Sequence, residues 1–370
     1  MKAKRIVKWT GLGLLLLLVA GFQIAYWSST NDCGRSIPAN AERMKAIRYC
    51  EYGAPDDVVK LEQVAKPVPN DNQILVRVRA VSLRFFDGGM LGGSIPGRLL
   101  FGLRKPKNTA PGSDFAGTVE AVGRNVVEFK PGDEVFGVKA GCLAEYICIR
   151  ADRGAVVSKP ANVTFEQAAS IPTALVALQG LRDTGQVKAG QKVLINGASG
   201  GVGTFAVQIA KAFGAEVTGV CSTKNLDLVR SLGADHVIDY TKEDYTQGDQ
   251  RYDVIYDLVN NRSFAERRRI LKPGGICVLA GVGGSGMHKE TLAQFAGVLP
   301  AVLRSKFAKE KFITFGVDSN KKDLGILRDL TESGKMLPAL TKTYPLTETA
   351  AAYNYLETGH ARGKIAITIE

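Results

Sequence analysis

A run of glycines between an apolar segment and a helical pattern is the stretch of this chain best suited to bind a phosphate. Residues 192–196 (KVLIN) are mostly apolar and partly β-branched, whereas residues 204–213 (TFAVQIAKAF) carry apolar side chains at helical spacing. A strand that ends in glycines and restarts as a helix brings free backbone N–H groups and the positive end of the helix dipole to one point. A pyrophosphate is therefore predicted to bind at Ser199, Gly200, Gly201, Val202 and Gly203.

The glycine pattern departs from G-x-G-x-x-G, because Ala198 stands at the first glycine position of ASGGVG. A glycine-rich turn is often only a turn, so its surroundings must decide between the two interpretations. A second strand is predicted over Glu216 to Val220 and a third over His236 to Asp239, each after a helical stretch. This order predicts the βαβαβ half of a dinucleotide-binding fold.

Polar residues at the end of the second predicted strand indicate which dinucleotide binds. An NAD site usually carries Asp or Glu at this place, to accept a hydrogen bond from the ribose 2′-OH. This chain instead reads CSTKN (221–225), and hydroxyls with a cation suit a 2′-phosphate better than a ribose diol. Tyr240 is a further candidate for the pocket of Ser222 and Lys224. We therefore predict NADPH as the cofactor, with the alternative that Ser222 is only a helix cap.

Length and composition allow two folded domains and give no sign of nucleic-acid binding. The chain has 370 residues, of which 45% are hydrophobic and 23% charged, as is typical of a globular protein. The net charge of +12 comes from cations scattered among acids, which favours an anionic cofactor, a membrane-proximal surface or solubility as its origin. The six cysteines include no C-x-x-C pair, so they indicate neither a zinc knuckle nor a clear disulfide framework.

The N-terminus predicts a membrane anchor. Several cations precede an uncharged run from Trp9 to Trp27, which Trp9 and Tyr26-Trp27 bracket like an interfacial aromatic belt. We predict a single-pass transmembrane helix and a polar linker over residues 1–43. The cation bias places the N-terminus in the cytoplasm and the body of the protein across the membrane. Because free NADPH is expected inside the cell, the sidedness stays open, and a cleaved signal peptide with export is the alternative.

Two folded regions and a tail are predicted after the linker. Residues 44–167 show short strand patterns separated by Gly and Pro turns, which predicts a β-rich domain. Residues 168–317 begin with helical periodicity and contain the glycine run and further strands, which predicts an α/β domain with a parallel sheet. The tail, residues 318–370, ends in GKIAITIE, a strand that we expect to return to the β-rich domain.

This order of domains resembles the medium-chain dehydrogenase/reductase superfamily. The motifs that carry the resemblance are PGSDFAGTVEAVG (111–123), PGDEVFG (131–137), AEY (144–146), NGASGGVGTFAVQIAK (196–211), SLGADHVIDY (231–240) and GHARGKIAITI (359–369). Within the superfamily the chain resembles the zinc-free quinone oxidoreductase branch, which includes the mitochondrial reticulon-interacting oxidoreductases. The resemblance implies a GroES-like domain joined to a Rossmann domain with a doubly wound parallel sheet.

The residues at the family's zinc positions predict that no metal binds. Zinc alcohol dehydrogenases of this superfamily present G-H-E, and the matching place here is Gly112-Ser113-Asp114. No Cys lies in residues 82–87, where another ligand falls in those enzymes, and the four-cysteine structural lobe is missing. A tetrahedral zinc site cannot be built without thiolate or imidazole ligands. Hydride transfer without a Lewis acid favours quinones or α,β-unsaturated carbonyls, whose conjugation spreads the negative charge.

The resemblance also implies roles for individual residues. Thr173 and Val259 would lie beside the nicotinamide, with ordinary packing as the alternative for both. Arg362 would cover the adenosine phosphate from the tail. The residues implied to hold that phosphate are Ser222, Lys224 and Tyr240. Because members of the family are often dimers through their nucleotide domains, the resemblance implies a homodimer as well.

The substrate side departs from the family pattern. Quinone oxidoreductases often read N-F-x-D-x-Y where this chain reads RFFDGG (84–89), so Asp87 matches while the Asn and the Tyr do not. Arg84 could steady a developing enolate or pair with Asp87, and water could supply the proton. We predict a zinc-independent, NADPH-dependent reductase of quinones or enones with Arg84 and Asp87 at its catalytic site. The alternative is a low-turnover NADPH-binding sensor or scaffold at a membrane.

Overall fold

The computed structural model describes residues 21, 23, 26–27, 29–34, 36–93, 98, 101–280, 300, 302, 309–359 and 361–370. The strands in chain order are β1 (Arg43–Arg48), β2 (Lys60–Ala65), β3 (Gln73–Ser82), β4 (Asp114–Val122), β5 (Glu134–Val138), β6 (Tyr146–Arg150), β7 (Ala155–Ser158), β8 (Lys192–Asn196), β9 (Glu216–Cys221), β10 (His236–Asp239), β11 (Tyr252–Asp257), β12 (Leu271–Leu279), β13 (Lys311–Ile313), β14 (Leu340–Pro345) and β15 (Lys364–Thr368). The α-helices are α1 (Pro55–Val58), α2 (Phe85–Gly92), α3 (Phe165–Ser170), α4 (Ala174–Gln179), α5 (Gly203–Ala212), α6 (Leu226–Ser231), α7 (Phe264–Ile270), α8 (Lys321–Glu332) and α9 (Thr349–Glu357).

The second half of the fold is built on a parallel sheet with the strand order β10-β9-β8-β11-β12-β13. All of its strand pairs are parallel, as predicted for an α/β domain. The chain leaves the centre of the sheet in one direction through β9 and in the other through β11. The carboxyl ends of β8 and β11 therefore form the crevice in which doubly wound sheets bind their ligands.

The first half of the fold is a mostly antiparallel sheet that the C-terminal tail joins. Its strand order is β14-β15-β3-β4-β5-β7, and β6 also pairs with β3. Strand β15 runs antiparallel to β3, with Ile367 opposite Val81, and parallel to β14. This pairing brings the beginning of β15 to the junction of the two sheets, where its first residues can reach the glycine run.

A continuous apolar core holds the two sheets in a fixed relation. Ala80, Ala116 and Phe136 of the antiparallel sheet are fully buried in the same cluster as Ile171 and Leu175, which lead into the nucleotide half. Contact at this junction removes apolar surface from water on both sides and so opposes separation of the two halves. Side chains that face the crevice from either half are therefore held at defined distances from one another.

The predicted N-terminal membrane anchor is contradicted. No helix among the described residues is long and apolar enough to cross a membrane. Residues 1–20, which carry much of the predicted span, lie outside the described part of the chain. Trp27, which we assigned to an interfacial aromatic belt, lies instead with its ring centroid 4.6 Å from the Arg104 guanidinium. A cation–π contact to the folded domain therefore accounts for this aromatic residue.

The predicted linker is attached to the antiparallel domain. Asp32 accepts hydrogen bonds from Arg48 at 2.8 Å and from the Thr109 hydroxyl at 2.5 Å. Cys33 and Cys50 form a disulfide, which the cysteine spacing did not indicate. Their pairing depends on the return of the chain through β1, because spacing in sequence alone does not tell which thiols meet in space.

Candidate active site

The glycine run lies at the crevice between β8 and α5, and its backbone geometry admits no side chain at two of its positions. Gly197 has a φ of +89°, and a Cβ on Gly203 would lie 2.0 Å from the Gly197 carbonyl oxygen. Gly203 therefore lets α5 begin directly against the end of β8. The N-terminus of this helix therefore lies at the crevice, where the sequence predicts a pyrophosphate.

The alanine that breaks the usual glycine pattern has a packing partner. Ala198 is fully buried, and a Cβ built on Gly219 of β9 would lie only 3.1 Å from the Ala198 methyl group. The Ala198 N–H donates to the Val220 carbonyl at 3.0 Å. Gly219 on the neighbouring strand thus leaves the space that the Ala198 methyl group occupies.

The end of β9 presents the predicted phosphate-binding residues near the glycine run. Lys224 is exposed, and Tyr240 keeps 52% of its surface accessible. Ser222 precedes a 3₁₀ turn, Thr223–Asn225, but its side chain makes no capping hydrogen bond. The cap that we considered as the alternative for Ser222 is therefore not formed.

Asn225 connects the two serines of this region and was missed by sequence reasoning. Its Nδ2 donates to the Ser199 hydroxyl at 3.0 Å and to the Ser222 hydroxyl at 3.3 Å. Both serine oxygens act as acceptors here, so both O–H groups can be donated to a ligand. The Asn225 Oδ1 is buried and has no hydrogen-bond partner within the described structure. A single Asn after a Ser-Thr-Lys stretch carries no sequence signal that would reveal this arrangement.

The C-terminal tail crosses the glycine run. The Gly363 N–H donates to the Ser199 carbonyl at 2.9 Å, and Arg362 beside it is exposed. A Cβ on Gly201 would lie 3.1 Å from Cδ of Lys364, so the lysine stem lies against the glycine backbone. The tail thus places two cations, one exposed and one buried, beside the predicted pyrophosphate site.

A buried ion cluster lies at the junction of the two halves. Arg84 Nε donates to Asp114 Oδ2 at 2.8 Å, and its Nη2 forms a second hydrogen bond to Asp114 Oδ1. Thr173 donates to Asp114 Oδ2 at 2.8 Å and accepts from Lys364 Nζ at 2.9 Å. Sequence reasoning named Arg84 and Thr173 but did not assign a role to Asp114 or Lys364.

The pairing of Arg84 with Asp87 that we considered is wrong. The guanidinium pairs with Asp114, whereas Asp87 accepts a hydrogen bond at 3.1 Å from the backbone N–H of Arg84 at the start of α2. This local bond is the reciprocal one that a carboxylate makes at a helix N-terminus. Asp87 therefore orients the backbone of Arg84, while the Arg84 guanidinium reaches Asp114 on β4.

Burial shifts the titration of the cluster. Burial raises the pKa of Asp87 to about 6, and the nearby Arg84 charge opposes this shift. Burial lowers the pKa of Lys364 to about 8, and the Asp114 carboxylate opposes that shift. Desolvation disfavours the charged form of each group, whereas the opposite charges favour it. Two groups of the cluster therefore titrate on either side of neutral pH.

A second polar network shapes the loop after β11. The Asp257 carboxylate accepts from the backbone N–H groups of Val259 at 3.1 Å and Asn260 at 2.9 Å, and from Arg267 at 2.7 Å. Asn260 has a φ of +56°, a conformation that Asn tolerates better than most side chains do. The Val259 side chain faces the glycine run, because a Cβ on Gly197 would lie 3.0 Å from its Cγ2.

The structure brings most of the sequence-predicted residues to one crevice. Val259 and the glycine run lie in direct proximity, and Thr173 is joined to the run through Lys364. Lys224 and Tyr240 lie on the adjoining side, at the ends of β9 and β10. Within the described ranges, no group of three or more His, Cys, Asp or Glu side chains is placed to hold a metal ion.

Comparisons with known proteins agree with this architecture. The family model described as "Alcohol dehydrogenase GroES-like domain" matches residues 70–161, and the one described as "Zinc-binding dehydrogenase" matches residues 232–367. The solved structure of the quinone oxidoreductase from Coxiella burnetii superposes with a TM-score of 0.76 at 31% identity, covering 89% of this chain and 100% of that one.

Two relatives named as oxidoreductases match over most of their length. The chloroplastic NADPH-dependent alkenal/one oxidoreductase of Arabidopsis thaliana is 35% identical, over 90% of this chain and 80% of the relative. The mitochondrial NAD(P)H oxidoreductase RTN4IP1 of Mus musculus is 32% identical, over 80% of this chain and 82% of the relative. The fold, the motifs and these similarities together show that the chain belongs to the medium-chain dehydrogenase/reductase superfamily.

Proposed function

We propose that this protein is a zinc-independent, NADPH-dependent oxidoreductase that transfers a hydride to quinones or α,β-unsaturated carbonyls. The observation that carries the proposal is the serine pair held by Asn225. Ser199 on the glycine run and Ser222 at the end of β9 accept hydrogen bonds from one buried amide and keep their own O–H groups for a ligand. Two phosphate groups of one dinucleotide would use such donors at these two places.

Charge at the same place supports NADPH over NADH. Lys224 after β9 and Arg362 on the tail are exposed cations, and Tyr240 is a half-exposed residue with a hydroxyl. A 2′-phosphate needs cations and donors, whereas a ribose diol needs a carboxylate acceptor. One relative carries NADPH dependence in its name, the alkenal/one oxidoreductase of Arabidopsis thaliana.

The donor set at the family's zinc position does not fit a zinc ion. Ser113 stands where zinc enzymes of the family have His, and its hydroxyl is buried without a hydrogen-bond partner in the described structure. The neighbouring Asp114 carboxylate already accepts from Arg84 and Thr173. Zinc sites use thiolate, imidazole and carboxylate ligands. The proposed reaction therefore has no step through a metal.

The remaining groups suit a hydride acceptor that is itself conjugated, such as a quinone or an α,β-unsaturated carbonyl. Bound NADPH would supply the hydride, and Val259 and Thr173 would line the space for the nicotinamide. The Arg84 side chain keeps 30% of its surface accessible, so its guanidinium can face a substrate oxygen while Asp114 holds it. A cation at that oxygen would stabilise an enolate or a quinol anion. Asp87 would act as a positioning residue for Arg84.

The test uses the full chain with both nucleotides. Binding of NADPH and NADH is titrated, and oxidation of each is followed with 9,10-phenanthrenequinone and an enal. We expect NADPH to be bound and consumed, and Lys224→Ala to weaken NADPH binding by about tenfold or more while leaving NADH binding unchanged. Lys130→Ala, at an exposed position of the other half, is the matched control.

Two outcomes would contradict the proposal. If the chain prefers NADH, the assignment of Ser222 and Lys224 to a 2′-phosphate is wrong. If NADPH is bound but not consumed over a panel of quinones and enals, the protein acts as a nucleotide-binding sensor or scaffold with little turnover.

A further inference from the structure

Lys364 is a buried lysine that links the glycine run to the ion cluster. It is 3% exposed, and its Nζ donates to the Leu83 carbonyl at 2.7 Å and to the Thr173 hydroxyl at 2.9 Å. These bonds use two of the three donors of an ammonium group. The proposed reaction assigns no task to Lys364, although a buried lysine carries a considerable cost of desolvation.

The ammonium group lies close to the predicted pyrophosphate site. A Cβ built on Gly201 would lie 3.1 Å from Cδ of Lys364 and 3.9 Å from Nζ. The hydrogen bond from the Gly363 N–H to the Ser199 carbonyl, at 2.9 Å, fixes the start of β15 against the same backbone. An anion on the N–H groups of the glycine run would therefore lie close to the buried ammonium group of Lys364.

The charges around Lys364 are nearly balanced without a ligand. Asp114 and Asp87 face it with negative charge, and Arg84 faces it with positive charge. Arg84 does not lose its proton in proteins, so Lys364 is the cation of the cluster that can change its charge. Burial lowers the pKa of Lys364 to about 8, which places this change within the range where enzymes are assayed.

We propose that protonation of Lys364 is linked to cofactor binding: when a dinucleotide places its pyrophosphate on the glycine run at alkaline pH, the protein takes up a proton on Lys364. The inference rests on the proposed dinucleotide site and adds a protonation step to it. The ammonium form is favoured because the anion supplies negative charge in a site of low dielectric. The proton taken up is held on Nζ of Lys364, which donates a hydrogen bond to the Thr173 hydroxyl.

The direction of the pH dependence follows from linkage. An anion raises the pKa of Lys364 above about 8, so the complex holds more protons than the free protein at and above this pH. NADPH affinity should therefore fall as the pH rises above 8. Asp87, whose pKa is raised to about 6, titrates in a separate and lower window.

The experiment is a calorimetric titration of the full chain with NADPH in two buffers of different ionisation enthalpy. If the complex restores the usual pKa of a lysine to Lys364, the chain should take up roughly 0.7 proton per NADPH at pH 8.5 and roughly 0.1 at pH 7. Lys364→Arg keeps the charge but cannot titrate, so it should bind NADPH without the uptake. Lys364→Met should lose both the uptake and part of the affinity.

The outcomes separate this inference from the proposed function. If wild-type protein binds and consumes NADPH but takes up no proton at pH 8.5, the inference is wrong and the proposed function stands. The same holds if Lys364→Arg takes up as much proton as wild type. If NADPH does not bind at all, both fail. The Lys364→Arg variant keeps the test decisive where Lys364→Met does not fold.

Discussion

Replacement of Asp114 by Asn tests how much the ion cluster at the junction of the two halves contributes to the stability of the protein. Asp114 is fully buried and accepts hydrogen bonds from Nε of Arg84 at 2.8 Å, from its Nη2 and from Thr173 at 2.8 Å. In Asp114→Asn the amide keeps one oxygen, but its NH₂ group faces the donors of the guanidinium. The Arg84 charge then remains in a mostly buried place without the carboxylate to which it donates its hydrogen bonds.

The expected loss in the free energy of unfolding follows from these contacts. Removing one partner of a buried ion pair costs about 3–5 kcal/mol, because the remaining charge stays desolvated. We expect a loss of about 4 kcal/mol for Asp114→Asn and about 3 kcal/mol for Arg84→Met. The double variant should lose about 2–4 kcal/mol less than the sum of the two, because neither charge is then left alone.

The assay is urea unfolding followed by circular dichroism at pH 7, with NADPH turnover measured on the same samples. Asp152→Asn is the control, since Asp152 pairs with Arg150 at the surface with 53% of its side chain exposed. The control should lose less than about 1 kcal/mol. A loss below about 1 kcal/mol for Asp114→Asn, or strict additivity in the double variant, would refute the reasoning.

Three further predictions concern other parts of the molecule. Gly203→Ala should abolish NADPH binding and lower stability by about 2 kcal/mol or more, because its Cβ would lie 2.0 Å from the Gly197 carbonyl oxygen; titration and thermal melting measure both effects. Asn225→Asp should weaken NADPH binding by about tenfold or more, since a carboxylate cannot donate to the two serines and repels a nearby phosphate. Reduction of the Cys33–Cys50 bridge, which spans 17 residues, should lower stability by about 3 kcal/mol, measured by thermal melting with and without a thiol reductant.

Matched variants separate these effects from general damage. Gly248→Ala has no atom within 4 Å of the added methyl group and should leave binding and stability unchanged. Equal losses for Gly248→Ala and Gly203→Ala would contradict the account of the glycine run. An Asn225→Asp protein with unchanged NADPH affinity would remove the serine pair as the basis of the proposal. Thiol treatment should leave Cys33→Ser unaffected, and a shift there would mean that the reductant acts elsewhere.

The nucleotide half was predictable because its signals are local. The glycine run and strands β8, β9 and β10 follow from apolar runs, helical spacing and residues whose backbone conformation only glycine adopts readily. Strand β13 ends at Ile313, where its pairing with β12 ends, although the apolar pattern of the sequence continues to Val317. The prediction of an N-terminal anchor was wrong for a related reason. An uncharged run shows how apolar a segment is but not what its residues contact, and Trp27 lies against Arg104.

The features of the candidate site likewise divide into those with a local signal in the sequence and those that depend on the tertiary structure. The sequence by itself determined the glycine run and the absence of an acidic residue at the end of β9, because both depend on residue types at fixed spacing. The resemblance to the superfamily then implied that Ser113 replaces a zinc-ligating His. Only the tertiary structure decided that Arg84 pairs with Asp114 and that Lys364 reaches Thr173. These partners are 30 and 191 residues apart. Arg84 meets Asp114 because β3 pairs with β4, and Lys364 meets Thr173 because β15 returns beside β3 at the junction of the two sheets. Charges buried by such a return acquire their partners and their pKa values from packing, which leaves no periodic trace in the sequence.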